Sequence, residues 1–266
     1  MRAVAVAALV LASCAPAVAQ DRVVIGGAGV PVPSMQALGE AYQAKHRDRH
    51  VEITAKPLGS TGGIRAVRAG ALTIGLTVRP LHDDERDGLS YRPYARTPLV
   101  IGAHAAVPVA GLTDAQFCDI FAGRITSWKD VGGPDAPIVV LTRNDDGTKE
   151  TFRAQVPCFK TLKETPNAIV MTTPTAMTEA LSLRRETIGL SDLAALIDGK
   201  RRFKALAFNG AAPTIEALQR GDYPLYKTFG VVTAGEPSGA VRHFLDFVTS
   251  VDGERVMSRH GLVPVR

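Results

Sequence analysis

Short apolar runs alternate along the chain with segments whose apolar positions recur every three or four residues. VVIGG (23–27) predicts a strand, and PSMQALGEAYQAKH (33–46) an amphipathic helix. VEITAK (51–56) and LTIGLTV (72–78) read as strands around a short helix, TGGIRAVRAG. TPLVIGAH (97–104), IVVLT (138–142), AIVM (168–171), ETIGLSDL (186–193) and FKALAFN (203–209) continue the strands. TDAQFCDIFAG, KETFRAQV and TPTAMTEALSLR supply helices between them. SGAVRHFLDFVTSVDGERVMSRHG (238–261) reads as one closing helix. Strand–helix alternation of this kind predicts an α/β fold built on parallel strands.

Two stretches interrupt the rhythm. YRPYARTPLVIG (91–102) and YPLYKTFGVV (223–232) each join Pro and Tyr to an apolar run. If the chain leaves one lobe at the first and returns at the second, two lobes result: 21–97 plus 230–266, and 98–229. A cleft would lie between them, where small-molecule sites concentrate and where hinge closure is expected.

The N-terminus reads as a targeting segment over residues 1–20: a basic Met-Arg, an apolar stretch too short to span a bilayer, and Ala17-Val18-Ala19 as a cleavage site. Leu11-Ala12-Ser13-Cys14 also has the form of a lipobox, which would anchor the chain by lipid at Cys14. Either route exports the protein, and a periplasmic location is expected. Cys118 and Cys158 then remain, an even number in an oxidising compartment. A disulfide between them is expected, each cysteine lying in a predicted helix (DAQFCDIF and FRAQVPCF); two buried thiols are the alternative.

The net charge is +5 and the isoelectric point about 9.2, with Lys and Arg scattered. No dense basic run with interleaved aromatics occurs, which argues against nucleic acid and is compatible with a small anion. Three loops share one form, a strand, a glycine-rich turn and a helix: GGAGVPVPS (26–34), GSTGG (59–63) and RNDDGT (143–148). Free N–H groups at such helix starts favour negative charge. Ser60, Thr61 and Thr148 add hydroxyls, and Arg143 a guanidinium fork. Taken singly, each loop is an ordinary α/β turn. GGAG fails as a dinucleotide loop, because Pro31 and Pro33 interrupt the helix start and no third glycine follows. Ser60 lacks an evident base and the six histidines sit apart, so neither an enzyme nor a cofactor is expected.

These segments, in this order, resemble the phosphate-binding proteins of ABC transporters, within the two-lobed solute-binding superfamily. The stretch GLTDAQFCDIFAGRITSWKDVGGPDAPIVVLTR (111–143) carries the most specific likeness. GSTGGIRAVRAGALTIGLTVRPL (59–81), NGAAPTIEALQRGDYPLYKTFGVVT (209–233) and the C-terminal AVRHFLDFVTSVDGERVMSRHGLVPV add to it. The resemblance implies a periplasmic-binding-protein fold with two hinge-crossing strands. It further implies phosphate or a related oxyanion in the cleft, an ABC permease as partner, and a monomer. The implied ligand set is the backbone of Ala28, Gly29 and Val30, then Ser60, Thr61, Thr77, Arg143, Gly147 and Thr148. Asp145 would orient Arg143, and Asp146 would cap the following helix. The chain departs from the family at Val30-Pro31, where a hydroxyl is usual, at a shortened third loop, and at Val78, where an aspartate commonly accepts a phosphate proton. Altered ligand specificity, or a sensory role toward a membrane receptor, is the alternative implied by those departures.

Overall fold

The computed structural model describes residues 22–144, 147–199 and 202–265. The targeting segment, Cys14, Asp145 and Asp146 lie outside the described residues. Strand β1 (Val23–Gly27) lies between β2 (Val51–Ile53) and β3 (Ile74–Thr77), parallel to both, with α1 (Val32–Lys45) and α2 (Gly59–Arg68) as the connections. The chain then enters β4, fifteen residues from Leu89 to Ala103. Beyond it come β5 (Gly111–Leu112), α3 (Asp114–Ala122), β6 (Val139–Arg143), α4 (Gly147–Gln155), β7 (Ile169–Met171) and α5 (Pro174–Leu183). β8 (Thr187–Asp192), α6 (Leu193–Asp198), β9 (Lys204–Phe208) and α7 (Ile215–Arg220) follow. β10 (Tyr226–Ala234) returns to the first lobe, and α8 (Gly239–Val248), α9 (Val251–Arg259) and β11 (Val263–Pro264) finish it.

The strand order is β2-β1-β3-β10-β4-β8-β6-β7. This sheet is mixed, not parallel throughout as the alternation predicts. The two crossing strands cause the difference: β4 and β10 pair antiparallel with each other, and with β8 and β3 respectively. β4 serves both lobes, because residues 89–98 pair with β10 and residues 99–103 with β8. Their ladder slips between Phe229 and Gly230, where Pro93, which has no N–H to donate, lies opposite.

Two main cores flank this seam. One gathers Ile25, Met35, Leu38, Tyr42, Ile74, Leu76, Phe229, Phe244 and Met257, and also takes in Ala194 from α6. The other gathers Leu99, Ile101, Phe117, Phe121, Trp128, Phe152, Phe159 and Phe208. The fold is therefore α/β and two-lobed. A Cys118–Cys158 disulfide borders the second core, with a Cα–Cα distance of 6.2 Å. It closes a loop of sequence separation 40, which in the chain-entropy account is worth about 4 kcal/mol. Cys158 does not continue α4 as expected: α4 stops at Gln155, and Cys158 lies in a separate short 3-10 helix that Pro157 opens. The closing helix is likewise two helices. Ser250 caps α9, and the turn between the two helices brings Gly253 so close to the Val248 carbonyl that a Cβ there would lie 2.3 Å from it.

Candidate functional site

The C-terminal ends of β1, β3 and β6 converge, which is where ligands sit in open α/β sheets. Leu58 N–H donates to the Gly27 carbonyl at 2.9 Å, tying the start of α2 to the end of β1. Ala28 N–H donates to the Leu76 carbonyl at 2.9 Å, so that backbone donor is spent on holding the first loop to β3. The Gly29 carbonyl accepts from Val32, and Val30 packs against the first core.

The helix starts at this junction differ from most others in the molecule. Thr113, Thr173, Asp192, Thr214 and Ser250 cap α3, α5, α6, α7 and α9 through side-chain oxygens. Pro31 and Leu58 stand at the N-cap positions of α1 and α2 and have no side-chain acceptor to offer. Ser238 of α8 is a capping residue type that makes no such bond, so the distinction lies in residue type as well as geometry. First-turn N–H groups of α2 are thus left to other acceptors, whereas in α1 Val32 N–H already donates to the Gly29 carbonyl and Pro33 has no N–H.

Ser60, on the first turn of α2, accepts a hydrogen bond from Val78 N–H at 3.2 Å. Val78 in turn meets the other lobe: a Cβ added to Gly147 would lie 2.5 Å from Val78 Cγ2. Ser60, Val78 and the opening of α4 are therefore brought together across the cleft, which is closed at this point. Thr77 is fully buried, and its hydroxyl donates to the Arg79 carbonyl at 2.7 Å and accepts from Arg79 N–H. Thr61 is exposed and accepts from the Arg79 guanidinium at 3.0 Å. Arg79 itself forks onto Glu85 at 2.6 and 2.8 Å. That fork, the larger cause, together with the His82 N–H, holds the Glu85 carboxyl down at about 2 against burial, which pushes it up.

On the opposite wall, Arg143 ends β6 and is 8% exposed. Its carbonyl accepts from the Lys149 ammonium at 3.0 Å, and Lys149 also reaches Glu164 at 2.8 Å. Thr142 donates to the same Glu164 oxygen at 2.7 Å. Thr148, beside Gly147, is 9% exposed and accepts from the Lys227 ammonium at 2.6 Å. Lys227 pairs with Asp192 at 2.9 Å, and both are buried. Sequence reasoning did not single out Lys149, Glu164, Asp192 or Lys227. A signal was present for two of them: Lys227 interrupts the apolar run of β10 and Asp192 ends the apolar β8, and buried charges need partners.

Among the described residues, no group of three or more His, Cys, Asp or Glu side chains is arranged to hold a metal, and no helix is long and apolar enough to cross a membrane.

The profile of the PBP superfamily domain matches residues 14–252. The chain belongs to the PBP superfamily. Within it, the chain is 28% identical over 254 residues to the phosphate-binding protein PstS of Bacillus subtilis, covering 93% of this chain and 82% of the relative. A Clostridium perfringens protein, solved with bound phosphate and described as a candidate phosphate ABC-transporter substrate-binding protein, superposes with a TM-score of 0.82. It is 29% identical, with 92% of this chain and 100% of that chain covered. An ABC-type phosphate transport receptor from Vibrio cholerae gives a TM-score of 0.69 at 26% identity, covering 91% of this chain and 99% of its own.

Proposed function

We propose that this is an exported solute-binding protein that takes phosphate, or an oxyanion of the same shape, into the closed cleft and hands it to an ABC permease. The observation that carries the reading is the meeting of the Gly147-Thr148 helix opening, four residues after the buried Arg143, with the Ser60–Val78 corner of the other lobe. An oxyanion stripped of water needs donors on every side. Here helix starts, hydroxyls and Arg143 supply them, and each bond to a charged group contributes about 1.5–3 kcal/mol. The named phosphate-binding relatives support the same ligand class. The disulfide suits an oxidising compartment outside the cytoplasm. In this reading the lobes are 21–97 plus 230–266 and 98–229, and ligand contacts from both stabilise closure.

Val78 gives the ligand neither donor nor acceptor, so a protonated phosphate finds no partner in its side chain. Discrimination against sulfate, which carries no proton at neutral pH, then falls to the rest of the wall. The test is calorimetric titration of residues 21–266, freed of phosphate, with phosphate, sulfate and arsenate, and with Arg143→Ala as control. Saturable oxyanion binding that disappears in the variant is expected. Binding to none of the three would overturn the reading.

A further inference from the structure

Lys227 is fully buried on β10, one of the two strands that cross between the lobes, opposite Thr97 of the other crossing strand β4. An ammonium has donors and no acceptor. When it bonds Thr148 Oγ at 2.6 Å, that oxygen must accept, and the hydroxyl proton must be donated elsewhere. Asp192 holds the ammonium from the other side at 2.9 Å through Oδ2, while its Oδ1 caps α6 by accepting from Ala195 N–H. Three elements are thereby fixed around one side chain: the opening of α4, the β8–α6 junction and a crossing strand.

We propose that Lys227 is a positioning residue of the anion site: it fixes Thr148 as a hydrogen-bond donor to the bound oxyanion and links that donor to the hinge. This rests on the phosphate reading above. Charge decides how it acts. Lys227 and Asp192 form a pair of zero net charge, so the pair adds little to the field that attracts an anion. Its contribution is orientation: without the ammonium, Thr148 Oγ could turn and offer the ligand a lone pair. An oxyanion, which has only acceptors when fully deprotonated, would be repelled by it. A direct ligand contact by Lys227 would behave differently, since removing it would flatten the salt dependence of binding.

The test is a double-mutant cycle read by phosphate titration of the mature chain. One arm is Thr148→Val. The other is Lys227→Met combined with Asp192→Asn, which removes both buried charges together and keeps an acceptor for the α6 cap, so that the fold survives; melting curves check it. Thr148→Val is expected to weaken phosphate binding about ten- to a hundredfold, the range for one hydrogen bond to a charged group. The charge-pair variant is expected to weaken it about tenfold, with the salt slope unchanged. Combined, they should be no weaker than Thr148→Val alone by more than about threefold, because both remove the same donor. Multiplying losses would overturn the proposal and leave Lys227 a structural residue, while phosphate binding itself stands. A charge-pair variant that binds phosphate as tightly as the parent would also overturn it. A wild-type chain that does not bind phosphate would remove the functional reading and this inference together, an outcome distinct from either of the others.

Discussion

The two walls of the cleft use similar residue types in opposite ways. On the first lobe, the hydroxyls are engaged one hydrogen bond at a time between neighbouring loops: Thr77 within its own turn, Thr61 under Arg79, Ser60 on the Val78 N–H. On the second lobe, the groups at the end of β6 and the start of α4 are held by two buried charge pairs: Lys149 of α4 itself with Glu164, and Lys227 with Asp192, both far from Thr148 along the chain. The difference follows from what each wall must do. Single hydrogen bonds between loops shape the backbone around a ligand. Buried charge pairs fix a side chain against the lobe and make its direction costly to change. The second wall is therefore the pre-organised one, and most of the discrimination for an anion should reside there.

Breaking the second wall should do the most damage. Arg143→Ala is expected to lower phosphate affinity at least about a hundredfold by calorimetry, because a guanidinium can make two charge-assisted bonds at once. Thr148→Val should cost less, about ten- to a hundredfold. Gly147→Ala tests the seam between the walls: its Cβ would lie 2.5 Å from Val78 Cγ2, so closure must be strained. A loss of about tenfold is expected, and Val78→Ala in the same chain should recover part of it. On the first wall, Ser60→Ala should cost only a few-fold, since the Ser60 oxygen is oriented by a neutral N–H at 3.2 Å and not, like Thr148, by a buried ammonium at 2.6 Å.

The smallest effect is on stability rather than binding. Glu85 is held at about 2 in the fold by the Arg79 fork, below the 4.5 of an ordinary glutamate. A lowered carboxylate stabilises the fold above its unfolded value and loses that contribution as pH falls toward the folded one. Between about pH 5 and pH 2, Glu85→Gln should flatten the fall in melting temperature, by an amount equivalent to on the order of 1–2 kcal/mol given the partial exposure of the pair.

The elements legible in the sequence were those with long periodic patterns or strong punctuation. The strands of the first lobe, α1, and α3 with its Thr113 cap and Gly123 stop were all readable. Both crossings were visible as Pro–Tyr interruptions, and β4 and β10 run through them. The six-residue helices α6 and α7 were missed, although Asp192 and Thr214 cap them, because six residues carry too little periodicity. The mixed sheet was not legible because strand direction depends on where a crossing strand lands. In the site, residues on glycine loops announced themselves through local motif. Their supports did not: Lys227 is 79 positions from Thr148 and 35 from Asp192, and only the fold brings them together.

The most direct test of the unequal walls is a side-by-side phosphate titration of Thr148→Val and Ser60→Ala at one pH and one salt concentration. The account predicts that the Thr148 variant loses about ten times more affinity than the Ser60 variant, with both melting near the parent. Equal losses, or a larger loss at Ser60, would contradict it and place the discriminating wall on the first lobe.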